Sequence, residues 1–237
     1  MSFERALSQV EARRKTLVVY SSAEDPDDLD GFETRNAAVE YRKLPGEGEG
    51  FLVIRDADGF VGSISLSELR TLLEPPLVRP QHLEELSPGY RALYELLAET
   101  LFSALERRQL LAASREIENR AWRVGEGRLQ VGFQNLSAMQ AQVSVYAALA
   151  VETDLEIHVY GRDDWVPPDL PGVDVHAVDE GAEIGDYWLL LFEGGLEDDQ
   201  ACALLAEERD PGEYRGFWTY DRELVGVLAR YVSDAVD

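Results

Sequence analysis

Apolar residues recur at three- and four-residue intervals in "SFERALSQVEARR", where Phe3, Leu7 and Val10 share one face, so the chain is expected to open with an amphipathic helix. The continuous apolar run in "KTLVVYSS" reads instead as a buried strand ending at Ser21 and Ser22. The acidic "AEDPDDLDGF" reads as a turn or short helix, "AAVEYRKL" as a second strand and "PGEGEG" as a loop. "FLVIRD" and "FVGSIS" face each other across "ADG" as a hairpin. Ser65-Leu66-Ser67-Glu68 has the spacing of a capping box, which predicts a helix over "SELRTLL".

Prolines and a change of composition in "EPPLVRPQHLEELSPG" stop that helix and mark a boundary. They divide the chain into an N-terminal half (1–74), a linker (75–90) and a larger C-terminal part (91–237). Two helices are expected next, "YRALYELLAETLFSA" and "RRQLLAASREIENRAWRV", then the strand "RLQVGFQ". Ser137-Ala138-Met139-Gln140 spells a second capping box, with a helix presenting Met139, Val143, Tyr146, Ala147 and Ala150 on one face. "LEIHVYG", "VDVHAV" and "YWLLLFEGG" read as strands. "CALLAEER" and "YRGFWTYD" form a hairpin about Asp210-Pro211-Gly212, and "RELVGVLARYV" closes the chain as a helix.

The two ends resemble each other weakly: "LVVY" matches "IHVY", "AVEYRKL" matches "VDVHAV", and "FLVIRDADG" matches "YWLLLFEGG". The expected class is α/β, a mixed sheet flanked by helices, with two weakly pseudo-repeated halves joined by a central helical pair.

Charge changes this picture. The chain has 46 acidic and 22 basic residues, a formal net charge of −24, while 45 % hydrophobic content marks a folded rather than disordered chain. Lysine stands only at positions 15 and 43, so nearly all positive charge is arginine. An acidic, lysine-poor surface keeps a protein hydrated in molar salt, where screening shrinks to about 3 Å. The expectation is the cytosol of a salt-loving organism, with nucleic acid a poor partner. No secretory leader and no apolar run near about 18 residues stands in the sequence, so no membrane partner is expected.

Catalytic chemistry is hard to place. Cys202 has no second cysteine to pair with and reads as a buried filler. His82 falls in the linker, and His158 and His176 alternate with apolar residues on strands without a metal-binding spacing. Gly125-x-Gly127 lies between a helix and a strand, the wrong order for a phosphate cradle, and reads as a helix stop. No metal, cofactor or catalytic residue is assigned.

The arginine-rich "SREIENRAWRVGEGRLQVGFQNLS" is the richer stretch. Glu116 and Arg120 stand four apart, the spacing of a surface ion pair, so Arg120→Ala is expected to be almost silent. Arg115, Glu118 or Asn119, and Trp122 form a different stripe, in which a guanidinium and an indole are expected to face a cleft or a partner, the alternative being structural pairing alone. Arg115→Ala is accordingly expected to impair binding with little loss of stability. Gln134 falls at the carboxyl end of a strand, the edge where α/β sheets hold ligands, and Tyr160 ends the "HVYGR" strand similarly if it runs parallel.

"ERRQLLAASREIENRAWRVGEGRLQVGFQNLS", "QVSVYAAL", "IHVYG" and "CALLAEERDPGEYRGFWTYD" together resemble the DICT sensory domain, a family associated with diguanylate cyclases and two-component systems. The similarity runs over residues 1–237 and is strongest from Phe102 to Asp221. The resemblance implies a non-catalytic, signal-sensing α/β module of a kind found standing alone in haloarchaea. The positions it draws attention to are Arg115, Glu118, Trp122, Arg123, Gln134, Tyr160, Glu207, Trp218 and Tyr220. With no cyclase or kinase signature in the chain, such a module is expected to act in trans on a small-molecule ligand or a signalling protein. A protein-interaction scaffold without a pocket is the second reading, and an α/β hydrolase or transferase the third.

Overall fold

A computed structural model describes residues 2–22, 34–46, 48–73, 88–196 and 200–235. The acidic stretch after Ser22, His82 and nearly all of the expected linker lie outside the described residues.

The elements run α1 (Phe3–Ala12), β1 (Lys15–Ser21), β2 (Ala37–Lys43), β3 (Phe51–Asp56), β4 (Gly59–Ser65), α2 (Leu66–Leu73), α3 (Pro88–Leu97), β5 (Phe102–Glu106), α4 (Arg107–Val124) and β6 (Glu126–Asn135). A 3-10 helix (Leu136–Gln142) then leads into α5 (Val143–Glu152), β7 (Asp154–Arg162), β8 (Val173–Val178), β9 (Tyr187–Phe192), β10 (Cys202–Asp210), β11 (Glu213–Thr219) and α6 (Arg222–Asp234). Two mixed sheets result: a four-stranded one in the order β2-β1-β3-β4 and a seven-stranded one in the order β5-β11-β10-β9-β6-β7-β8.

Strand alternation decides what each face of the large sheet carries. Leu129, Val131, Leu190, Phe192, Leu204 and Trp218 point to the side covered by α4 and α5. Leu189, Leu191, Leu205 and Phe217 point to the other side, against Phe3, Leu7 and Val10 of α1 and Leu224, Leu228 and Val232 of α6. The small sheet adds Leu17, Val19, Leu52 and Ile54 to the first of these cores, so one apolar interior runs beneath both sheets.

Local signals explain most boundaries. Ser65 and Glu68 bond reciprocally, each backbone N–H to the other's side chain at 3.1 Å, and α2 starts there as the spacing required. Gly125 ends α4 at φ 75°, with its N–H returned to the Ala121 carbonyl at 2.8 Å. Asp221 caps α6 by accepting from the N–H groups of Glu223 and Leu224.

Three expectations are corrected. The first helix of the central pair stops at Leu97, and "LFSA" is strand β5, not helix. Glu99 takes φ 59°, a left-handed conformation held by its N–H to the Trp218 carbonyl (2.7 Å) and by its carboxylate to Arg13 (2.6 Å). That turn redirects the chain so that β5 can hydrogen-bond the open edge of β11. The box at Ser137 does not form, because Ser137 is drawn to Asp164, which accepts from its backbone N–H at 2.8 Å and from its hydroxyl. A 3-10 helix occupies that stretch, and α5 buries Val145, Tyr146 and Leu149 rather than the face centred on Val143 and Ala147. The end-to-end likeness extends to topology only in part. β1/β2 and β7/β8 are both parallel pairs, but β3 pairs directly with β1, whereas β6 stands between β7 and β9.

Asn36 ties the sheets together. It is 1 % exposed, donates to the carbonyls of Val10, Arg13 and Glu99, and accepts from the Leu101 N–H at 2.9 Å.

Candidate functional site

α4 carries Ser114, Arg115, Glu116, Glu118, Asn119 and Arg120 in one continuous buried run. Such polarity survives inside a protein only where partners are built for it. Between Ala112 and Ala121 the helix is buried without a break, and its period sorts these residues into three stripes. Leu110, Ala113, Ile117 and Ala121 pack on the large sheet. Glu116 and Arg120 turn toward α3, and Ser114, Arg115 and Glu118 turn toward the 3-10 helix and α5.

On the α5 side lies a cleft lined by Arg107, Leu111, Ser114, Arg115, Glu118, Phe133, Gln134, Ala138, Gln142, Tyr146, Trp188 and Leu190. About 500 Å³ of empty space lies in it when the part open to solvent is counted, and water-sized groups have about 30 Å³ of it to move in, so it is a shallow recess rather than an enclosed cavity. The position follows from topology. β6 and β7 are parallel, the crossover between them rises from the carboxyl end of β6, and Gln134 sits at that end. Gly161 lets the strand and the turn close together, since a Cβ there would stand 2.9 Å from the Leu136 backbone nitrogen.

A four-residue network forms the floor. Arg115 donates to Glu118 and to the Gln142 side-chain oxygen, and Tyr146 donates its hydroxyl hydrogen to the other Glu118 oxygen at 2.7 Å. Arg115 is 5 % and Glu118 1 % exposed. Burial, followed by the negative charge of Glu118, pushes the Tyr146 hydroxyl well above its ordinary value, so it stays a donor. Trp188 donates its indole N–H to the Ser114 hydroxyl at 3.1 Å, and Arg107 lies over the same ring with its guanidinium carbon 5.5 Å from the centroid.

The stripe that turns to α3 is a second polar cluster. Arg120 donates to Glu95 at 2.7 Å, approaches Glu116 at 3.7 Å and sits 4.5 Å over the Tyr220 ring. Arg120 is 7 % and Glu116 1 % exposed, which overturns the expected surface pair: α3 covers that face of α4. Neither Glu116 oxygen has a hydrogen-bond partner, and burial raises its pKa despite the nearby arginines. Cys202 lies in the same interior, its thiol pushed up to about 12 by burial.

Of the positions marked in the sequence, Arg115, Glu118 and Gln134 meet at the cleft. Trp122 does not: it lies beyond Glu118 along α4, half-buried, with its indole N–H on the Glu152 carboxylate at 3.1 Å. Arg123 is exposed and donates to Asn119. Tyr160 points to the opposite face of the sheet, stacked on His176 with centroids 4.9 Å apart. Trp218 is core, stacked on Phe102 and bonded to the Tyr94 carbonyl at 2.7 Å. Tyr220 belongs to the Arg120 cluster, and Glu207 pairs with Arg209 at 2.7 Å.

Sequence reasoning did not pick out Arg107, Gln142, Tyr146 or Trp188 as lining residues. Trp188 opens a continuous apolar run, Trp188-Leu189-Leu190-Leu191-Phe192, and Tyr146 sits in an apolar helix, patterns that read as core. His158 and His176 meet at 3.2 Å, with Asp174 3.9 Å from His158. Among the described residues no group of three or more His, Cys, Asp or Glu is arranged to hold a metal ion, and no helix is long and apolar enough to cross a membrane.

Comparison with known proteins adds one family match. The model described as DICT, "Sensory domain in DIguanylate Cyclases and Two-component system", matches residues 90–209. The match takes in α4, the cleft and the crossover to β7, but not the small sheet or β11. Curated proteins give no match. Among solved structures, a polyphosphate kinase from Porphyromonas gingivalis is similar at 11 % identity with a TM-score of 0.42, covering 100 % of this chain and 49 % of that one. The chain thus spans about half the length of that kinase, and nothing about activity carries over at this likeness.

Proposed function

The chain belongs to the DICT family of sensory domains, and from that premise we propose that it is a non-catalytic cytosolic module that senses a small molecule in the cleft beneath α4 and passes its state to a signalling partner. The carrying observation is the cleft itself: an apolar and aromatic recess with a few convergent polar groups at the carboxyl end of a parallel strand pair. Its polar floor is already satisfied, as a preformed receptor site requires. The acidic, lysine-poor composition supports a high-salt cytosol as the setting.

The test is native mass spectrometry of the protein purified from its own host, beside a variant with the cleft filled, Ala138→Trp. A small-molecule mass retained by the wild type and lost from a folded variant is the expected result. A wild type that carries no ligand, with partner capture unaffected by Ala138→Trp, would favour a protein-interaction scaffold instead.

A further inference from the structure

Resting on the ligand reading above, we infer that the cleft selects planar aromatic acids, ring systems of one or two rings bearing a carboxylate that docks on Arg107. Phe133, Tyr146 and Trp188 give the lining three aromatic side chains, and Leu111 and Leu190 supply apolar contact between them. Flat aromatic surfaces are filled best by a flat ring, which buries area at little cost in rotamer freedom.

The charge follows by elimination among the lining residues. Arg115 and Glu118 cancel as a buried pair, and Arg115 also donates to the Gln142 side-chain oxygen. The Tyr146 hydroxyl is committed to Glu118, and the Ser114 hydroxyl accepts from Trp188 while donating to the Leu110 carbonyl at 2.9 Å. Arg107 remains. It opens α4, is exposed at the mouth, and lies near the Tyr214 hydroxyl. Among the described residues no carboxylate pairs with it. In a chain with 46 acids and 22 bases, an arginine lining a cleft without a carboxylate partner is a cation left for something else. Glu208, which lies near Tyr214, is held by Gln134 at 3.2 Å and lies outside the lining. The guanidinium stands over the Trp188 ring, so a ligand stacked along that indole brings its own anionic edge to the arginine fork, where a carboxylate can accept two hydrogen bonds.

Calorimetric titration with three probes at one pH and salt concentration tests this: 2-naphthoate, 2-naphthylmethanol and cyclohexanecarboxylate. The acid with the aromatic ring should bind about tenfold or more tightly than the neutral aromatic, the difference one charge-assisted bond makes, and more tightly than the alicyclic acid, which offers no flat ring to the lining. Arg107→Gln, an exposed change that leaves the fold intact, should erase the preference for naphthoate over the alcohol. Equal binding of acid and alcohol, naphthoate binding undiminished by Arg107→Gln, or no naphthoate binding at all would each overturn the ligand class. A host-derived ligand that persists in the wild type and is lost from Ala138→Trp, together with no naphthoate binding, would mean that the class is wrong and the cleft reading stands.

Discussion

The Tyr146 hydroxyl donates to Glu118 at 2.7 Å from the far side of the carboxylate that Arg115 holds, joining α5 to α4 through one buried negative charge. Its neutralisation is a condition of the fold as well as of the cleft.

Arg115→Ala leaves Glu118 buried without its cation, a change that typically costs about 3–5 kcal/mol. The unfolding midpoint in urea should therefore fall sharply, contrary to the expectation from sequence that stability would barely change. Tyr146→Phe keeps the ring and removes one bond to a charged group, so about 1.5–3 kcal/mol is expected. A double variant, Arg115→Met with Glu118→Leu, should recover much of the loss while stripping the cleft floor of polarity. Denaturant titration of all three, alongside ligand retention, separates the two roles.

Arg120→Ala should be far from silent. It exposes Glu116 to the interior without its arginine and removes the cation from the Tyr220 ring, so a cost at the lower end of about 3–5 kcal/mol is expected. A thermal midpoint within error of the wild type would show that α3 does not cover this face in solution.

Glu116 makes a pH prediction. Its pKa in the folded state is raised by burial above the ordinary 4.5. A raised value contributes stability that is full below the unfolded pKa and is lost as pH climbs through the folded one. Glu116→Gln, which cannot ionise, should thus stabilise the protein most at neutral pH and progressively less toward pH 4.5. Midpoints measured for both proteins between those limits give the slope, and a gain that grows on acidification would contradict the sign.

The tryptophans should separate cleanly. Trp218 is 4 % exposed and closely packed, so Trp218→Ala should cost about 3–5 kcal/mol. Trp122 is half-buried with its indole N–H on an exposed carboxylate, and Trp122→Ala should fall well below that range. Chemical denaturation of the pair decides it.

At a net charge of −24, stability should rise from low to molar potassium chloride as self-repulsion is screened. A melting temperature that stays flat across that series would remove the high-salt setting.

Much of this was legible in the residues. The apolar stripe of α1, the box at Ser65 and Glu68, the hairpin about Asp210-Pro211-Gly212 and the stop at Gly125 depend on a few neighbouring positions, so local periodicity and turn chemistry determined them. The resemblance to the DICT family was likewise carried by short runs of sequence. Only the tertiary structure decided which polar faces were buried. Glu116 and Arg120 have the spacing of a surface pair, and nothing within α4 announces that α3 lies over them. Tyr160 and Gln134 both end parallel strands, and alternation alone would put them on one side, because Gln134 has the parity of Gly132, the partner of Tyr160; Gln134 lines the cleft only because the register shifts between Gly132 and Asn135. The cleft draws on α4, β6, β9 and the crossover after β6. Its residues span positions 107 to 190, and contacts between elements so far apart are set by strand order, which no local pattern encodes.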